Sequence, residues 1–93
     1  MGIRSGFMDH IMDQSFLGPE SIPGHPIIEI VSDVRILIEN HHGVAAYGRE
    51  KILVNVKFGS VCICGCNLEM MHMTKEQLVI HGKIDSVSLQ RRR

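Results

Sequence analysis

Lys51-Ile52-Leu53-Val54-Asn55-Val56-Lys57-Phe58 is the stretch that decides the fold class. Ile52, Val54, Val56 and Phe58 alternate against Lys51, Asn55 and Lys57, the period-two pattern of a half-buried strand. Working outward, the same reading gives a first strand marked by Ile28 and Ile30 and a second by Val34, Ile36 and Ile38, with Ser32 and Asp33 suited to the turn between them. Val44 to Tyr47 read as a short third strand. After Phe58, Gly59 and Ser60 predict a hairpin turn into Val61–Gly65, followed by Leu68–Met73 and Leu78–Leu89. In that last run Leu78, Ile80 and Ile84 share a face, but Val87 and Leu89 join them only if one residue is inserted, which predicts a bulge near Asp85 and Ser86.

About seven or eight short strands at this spacing, with no room for crossover helices, predict an all-β fold, a small antiparallel β-sandwich. Ile36, Ile38, Val54, Val56, Val61, Ile63, Leu68, Leu78, Ile80 and Ile84 are its expected interior. Upstream, Gly18, Pro19, Pro23, Gly24 and Pro26 exclude regular structure. Before that linker, Phe7, Met8, Ile11, Met12 and Phe16 fall at helical spacing behind Ser5, a candidate N-cap, so a short N-terminal amphipathic helix is expected. The organisation is then residues 1–26 as helix and linker, 27–90 as the β-domain, and 91–93 as a basic tail.

Composition narrows the function classes. With 93 residues, 44% of them hydrophobic and 22% charged, the chain has apolar material for one small packed domain. Ten basic and ten acidic side chains leave no net charge to draw the chain to nucleic acid, and the absence of Trp beside one Tyr and three Phe argues against a base-stacking platform. No apolar run approaches the roughly 20 residues that span a bilayer, and no signal-peptide pattern opens the chain, so a cytoplasmic protein without a membrane span is expected. Arg91, Arg92 and Arg93 read as a solvated tail.

Cys62, Cys64 and Cys66 are three thiols at spacing two, which places them on one face of a strand and suits a reducing compartment. Structural zinc wants four N or S ligands, commonly from two close pairs, and only a single C-x-C-x-C exists here. His72 or the His41-His42 pair would have to complete it in space. The expectation is therefore no metal and no cofactor, with a thiol- or metal-binding module as the alternative. His41 and His42 read as polar residues of a hairpin loop in which Asn40 can bond its own backbone. Gly43, Gly65 and Gly82 read as turns, bulges or close backbone approaches. Met70, Met71 and Met73 read as core or rim, with an adaptable binding surface as the other possibility. No G-x-G-x-x-G, Walker, G-x-S-x-G or H-E-x-x-H pattern occurs, and no enzymatic activity is expected.

Taken in order, Ile38-Glu39-Asn40-His41-His42-Gly43-Val44, Gly59, Val61-Cys62-Ile63-Cys64-Gly65 with Leu68, and Leu78-Val79-Ile80-His81-Gly82-Lys83-Ile84 resemble the YabP/YqfC sporulation family, its YqfC branch more closely. That family runs as I-E-N-H-[RK]-G-[IV], a strand, G-x-[LIV]-x-I-x-G-x-x-L, and L-x-I-x-G-x-I. Glu39, Asn40, His41, Gly43, Gly59, Gly65, Leu68 and Gly82 carry the match as structural motif positions. The sequence departs at His42, where a basic residue is common, at Ser32, where Gly often precedes the Asp, and at Gly18, where Leu-Pro is usual. The resemblance implies a mother-cell protein of endospore formation, needed for spore envelope or coat development, with no catalytic residues. It also implies a membrane-associated YqfD-type partner and a location in the cytosol or peripheral to the forespore membrane or coat. A core this small and open sheet edges add the expectation of a homo-oligomer, with Phe7, Ile11 and Phe16 as a further interaction surface.

Overall fold

The computed structural model describes residues 24–92. The expected helix with Phe7, Ile11 and Phe16 lies outside them. Six strands follow in chain order: β1 (Ile27–Val31), β2 (Arg35–Glu39), β3 (Val44–Tyr47), β4 (Lys51–Val56), β5 (Gly59–Met73) and β6 (Gln77–Arg91). All are antiparallel members of one sheet with the order β1-β2-β6-β5-β4-β3. The all-β class holds, while the two-sheet sandwich of seven or eight short strands is corrected, among the described residues, to six strands in a single sheet. Leu68–Met73 is not a separate strand. It continues Val61–Gly65 within a 15-residue β5 that pairs with a 15-residue β6.

A hairpin of that length cannot run straight here. The Asn40 amide donates to the Glu76 carbonyl (2.6 Å), at the hairpin tip, and the His42 amide donates to the Asn55 carbonyl (2.7 Å), beside the hairpin base. Asn40 and His42 are two residues apart, so their amides are separated by no more than about 7 Å. Along a straight strand, Ser60, which faces Asn55, would stand about 43 Å from Met73. The hairpin is therefore folded back, and the sheet closes over its own core. β4 flanks the half of β5 nearest the base, and β2 flanks the half of β6 nearest the tip.

The fold in the hairpin lies where the register slips. Cys64 faces Ser86 while Gly65 faces Ile84, which leaves Asp85 as the extra residue, the bulge that the parity of β6 requires. Further slips fall between Cys66 and Glu69 and between Met70 and His72. Bulges bend and twist the strand that carries them. A Cβ on Gly65 would collide with the Lys83 carbonyl, and one on Gly82, whose φ is +144°, would lie 2.5 Å from the Asn67 carbonyl oxygen. The two backbones approach too closely for any side chain.

All ten expected core residues are buried in one cluster, joined by Ile52, and Ile28, Val44, Phe58, Met70 and Val87 pack against it. Two turns deserve comment. Ser32 (φ +50°) and its neighbours make the β1–β2 turn, with the Val34 amide donating to the Val31 carbonyl. The β4–β5 turn is Lys57-Phe58 rather than Gly59-Ser60, because Val56 pairs with Gly59 and both expected turn residues already belong to β5. Among the described residues, no helix is long and apolar enough to cross a membrane.

Candidate functional site

The densest set of specific polar contacts gathers around Glu39-Asn40-His41-His42-Gly43, the chain that passes from β2 to β3. These strands do not pair with each other, so the segment is a crossing between two parts of the sheet and not the hairpin loop expected for it. Two residues adopt left-handed backbone, Asn40 at φ +66° and Gly43 at +103°. Asn is among the few side chains that tolerate that region. The Asn40 side chain also departs from expectation: its Nδ2 donates to the His25 carbonyl (3.0 Å) instead of bonding its own backbone.

Between them His41 turns inward and is 7% exposed, the one buried polar side chain among the described residues. This corrects its reading as a polar residue of a hairpin loop. The Gly43 amide is a donor, so Nδ1 accepts from it (3.0 Å). The Thr74 carbonyl is an acceptor, so Nε2 carries the ring proton and donates to it (2.9 Å). Both ring nitrogens are thereby committed to backbone, one in the crossing segment and one in the hairpin tip. His42, by contrast, is exposed, and only its backbone takes part, through the bond to Asn55.

The tip is built to receive this contact. Thr74 accepts on Oγ1 from the amides of Glu76 (3.2 Å) and Gln77 (2.9 Å), and its own amide donates to the Gln77 carbonyl (2.7 Å). Gln77 Nε2 donates to Glu39 Oε2 at 3.2 Å, across a strand pair in which the two residues face each other. Thr74 and Gln77 were missed as site residues. Their signal was a Thr heading a polar turn, Thr74-Lys75-Glu76-Gln77, which favours hydroxyl-to-backbone bonding but does not name the ring that docks on it.

Glu39, Asn40, His41 and Gly43 thus come together with the tip, whereas Gly65, Leu68 and Gly82 sit at the bend. Leu68 is fully buried, with its amide bonded to the Arg49 carbonyl (2.9 Å). Gly59 opens β5, opposite Arg91. These are two distinct places, the latch and the bend, that fix the same folding-over of the sheet.

The three thiols lie elsewhere, on the outward face of the base half of β5. Cys62 is buried, Cys64 half-buried and Cys66 exposed. The Sγ atoms of Cys62 and Cys64 are 3.8 Å apart. Burial, then the neighbouring Cys64, pushes the Cys62 thiol above its ordinary pKa of 9.0, against smaller opposite effects of Lys51 and Ser88. A raised pKa makes Cys62 a poor nucleophile at neutral pH. Among the described residues no three or more His, Cys, Asp and Glu side chains gather as metal ligands, and nothing in this arrangement favours the thiol- or metal-binding alternative. Of the methionines, Met70 packs on the core, while the bulged Met71 and Met73 stand exposed. An open depression of about 560 Å³ lies near the base between His42, Asn55, Ser60 and Arg92.

The sequence model of the YabP family matches residues 24–93, a span that takes in the latch, the bend and every strand. Over 88 residues, 94% of this chain and 95% of the other, the protein is 29% identical to the uncharacterized protein YqfC of Bacillus subtilis (strain 168). No solved structure matches. With the motif residues placed at the latch, at the bend and, for Gly59, at the start of β5, and the family model covering that fold from end to end, the chain belongs to the YabP family.

Proposed function

We propose that the protein is a non-enzymatic assembly protein of endospore formation, acting in the mother cell on the spore envelope or coat through protein–protein contacts. The observation that carries this reading is how the motif residues are used. Glu39, Asn40, His41 and Gly43 are engaged with the hairpin tip or with neighbouring backbone, and Gly65 and Gly82 with backbone packing at the bend. A motif whose residues are used to hold the shape of a sheet supports a protein that presents a surface, and presenting a surface is what an assembly protein does. Family membership supports the developmental setting, through the sporulation role that the motif resemblance implies. The same resemblance points to a membrane-associated YqfD-type protein as a partner, with this chain in the cytosol or peripheral to the forespore membrane or coat.

Deleting the gene in its host and counting heat-resistant spores tests the proposal, with a fluorescent fusion followed through engulfment. The expected result is a large fall in heat-resistant spores, restored by the intact gene and not by a His41→Ala copy expressed at the same level. Undiminished spore counts in the deletion would overturn it.

A further inference from the structure

β6 is flanked on both sides along its first half and on one side along its second. β5 accompanies it from end to end, but β2 pairs with it only over Gln77–His81, with backbone bonds from Gly82 to Val34 and from Ile84 to Asp33 prolonging that line. From Ser86 to Arg91, no other described strand takes up its outward-pointing backbone groups. Sheet edges are ordinarily guarded by proline, by a charge within the strand, by a bulge or by brevity. β1 follows Pro26 and carries Glu29 at its centre, and β3 is four residues long with a register slip between Val44 and Ala46. Ser86-Val87-Ser88-Leu89-Gln90 has no such guard, and its charges stand only at the two ends, Asp85 and Arg91.

The core face of this edge is also unfinished. Val87 pairs with Ile63 and Leu89 with Val61, so both side chains project on the side where Ile63 and Val61 are fully buried. Leu89 is nevertheless 61% exposed, more than any other large apolar side chain among the described residues.

We propose that this edge pairs with the same edge of a second copy, antiparallel, about a two-fold axis centred on Ser88. That register sets Val87 opposite Leu89 in both directions, so four apolar side chains join the two cores. It sets Ser86 opposite Gln90, and Arg91 opposite Asp85 of the second copy, so each end places a cation against an anion. A two-fold pairing uses the same patch on both copies, and this patch is complementary to itself. The corresponding operation on β1, centred on Glu29, would set that carboxylate against its own copy. This inference rests on the reading of the chain as an assembly protein, and it can fail while that reading stands, because it is tested on the purified chain without reference to spores.

Sedimentation velocity on the full chain, from about 1 to 100 µM, is expected to show a monomer–dimer equilibrium. Asp85→Arg or Arg91→Asp alone turns both end contacts into like-charge pairs and raises Kd roughly tenfold. The double variant restores opposite charges and returns Kd to within about twofold of the parent. Residues 85 and 91 lie about 20 Å apart along one extended strand, too far for restoration to arise inside a monomer. Circular dichroism checks that each variant is folded. A monomer at 100 µM, a dimer that the single variants leave unchanged, or a double variant no tighter than the singles would each overturn the proposal.

Discussion

The two flanks of the folded hairpin are treated in opposite ways. Along β5, the Glu50 and Arg49 carbonyls accept from the Gly65 and Leu68 amides beyond the end of β4 pairing, and the Tyr47 hydroxyl then accepts from the Met70 amide (3.3 Å). The line of β4 and β3 is thereby drawn along the bend as far as Met70. Along β6, the corresponding line from β2 stops at Ile84, and beyond it no other described strand takes up that flank. Closure on one flank stabilises the monomer. The free flank carries the capacity for contact, and the latch at His41 keeps the two apart in function, because it holds the sheet folded without drawing on the β6 edge.

Substitutions at several places break or sharpen this contrast, and the largest effect is expected at the bend. Gly82→Val places a β-branched side chain at φ +144° against the Asn67 and Leu68 backbone, and is expected to cost about 3–5 kcal/mol, seen as a collapse of the urea midpoint or loss of the folded state. At the latch, His41→Ala leaves the Thr74 carbonyl and the Gly43 amide without their partner and is expected to cost about 2–4 kcal/mol in the same experiment. A change on the closed flank is milder. Tyr47→Phe removes one exposed hydrogen bond, about 0.5–1.5 kcal/mol, and should speed hydrogen exchange at the Met70 amide while leaving that of Ile80 unaltered.

The smallest effect is expected on the outward thiol face. Replacing Cys62, Cys64 and Cys66 with Ser should change stability by no more than about 1 kcal/mol. Alkylation followed by mass spectrometry should modify Cys66 first and Cys62 last, following their exposure. Cys62 adds a weak pH dependence. Its folded pKa is raised, so the folded state holds the thiol proton more tightly than the unfolded chain, and this contribution is complete below pH 9.0 and is lost as the pH rises above it. The decline in thermal stability between pH 8 and pH 10 should be shallower in Cys62→Ser.

Strand positions and the core were legible in the sequence because each follows from local parity, and Leu78, Ile80, Ile84, Val87 and Leu89 even located the Asp85 bulge. What parity does not contain is the course of the sheet after a bulge. Gly65 and Cys66 look like the end of a strand, since Gly weakens strands and the apolar pattern breaks there, yet the backbone pairs through the break and merely bends. The same limit applies to the latch. Glu39-Asn40-His41-His42-Gly43 has the composition of a polar loop, and only the return of the hairpin tip, more than thirty residues further along the chain, gives His41 two backbone partners and a reason to be buried. Long-range closure is decided by which segments meet, and no local pattern records that.

The central claim, that the β5–β6 hairpin is folded back and latched through Asn40–Gly43, is tested most directly by proton–proton contacts in the isotopically labelled full chain. Nuclear Overhauser effects are predicted from the Asn40 amide to the Glu76–Gln77 turn and from the His42 amide to Asn55, together with an imidazole nitrogen pattern showing the His41 proton on Nε2. A segment that contacts β4 near Asn55 but not the hairpin tip, with the His41 ring free to exchange between tautomers, would mean that the sheet lies open, and would contradict the account.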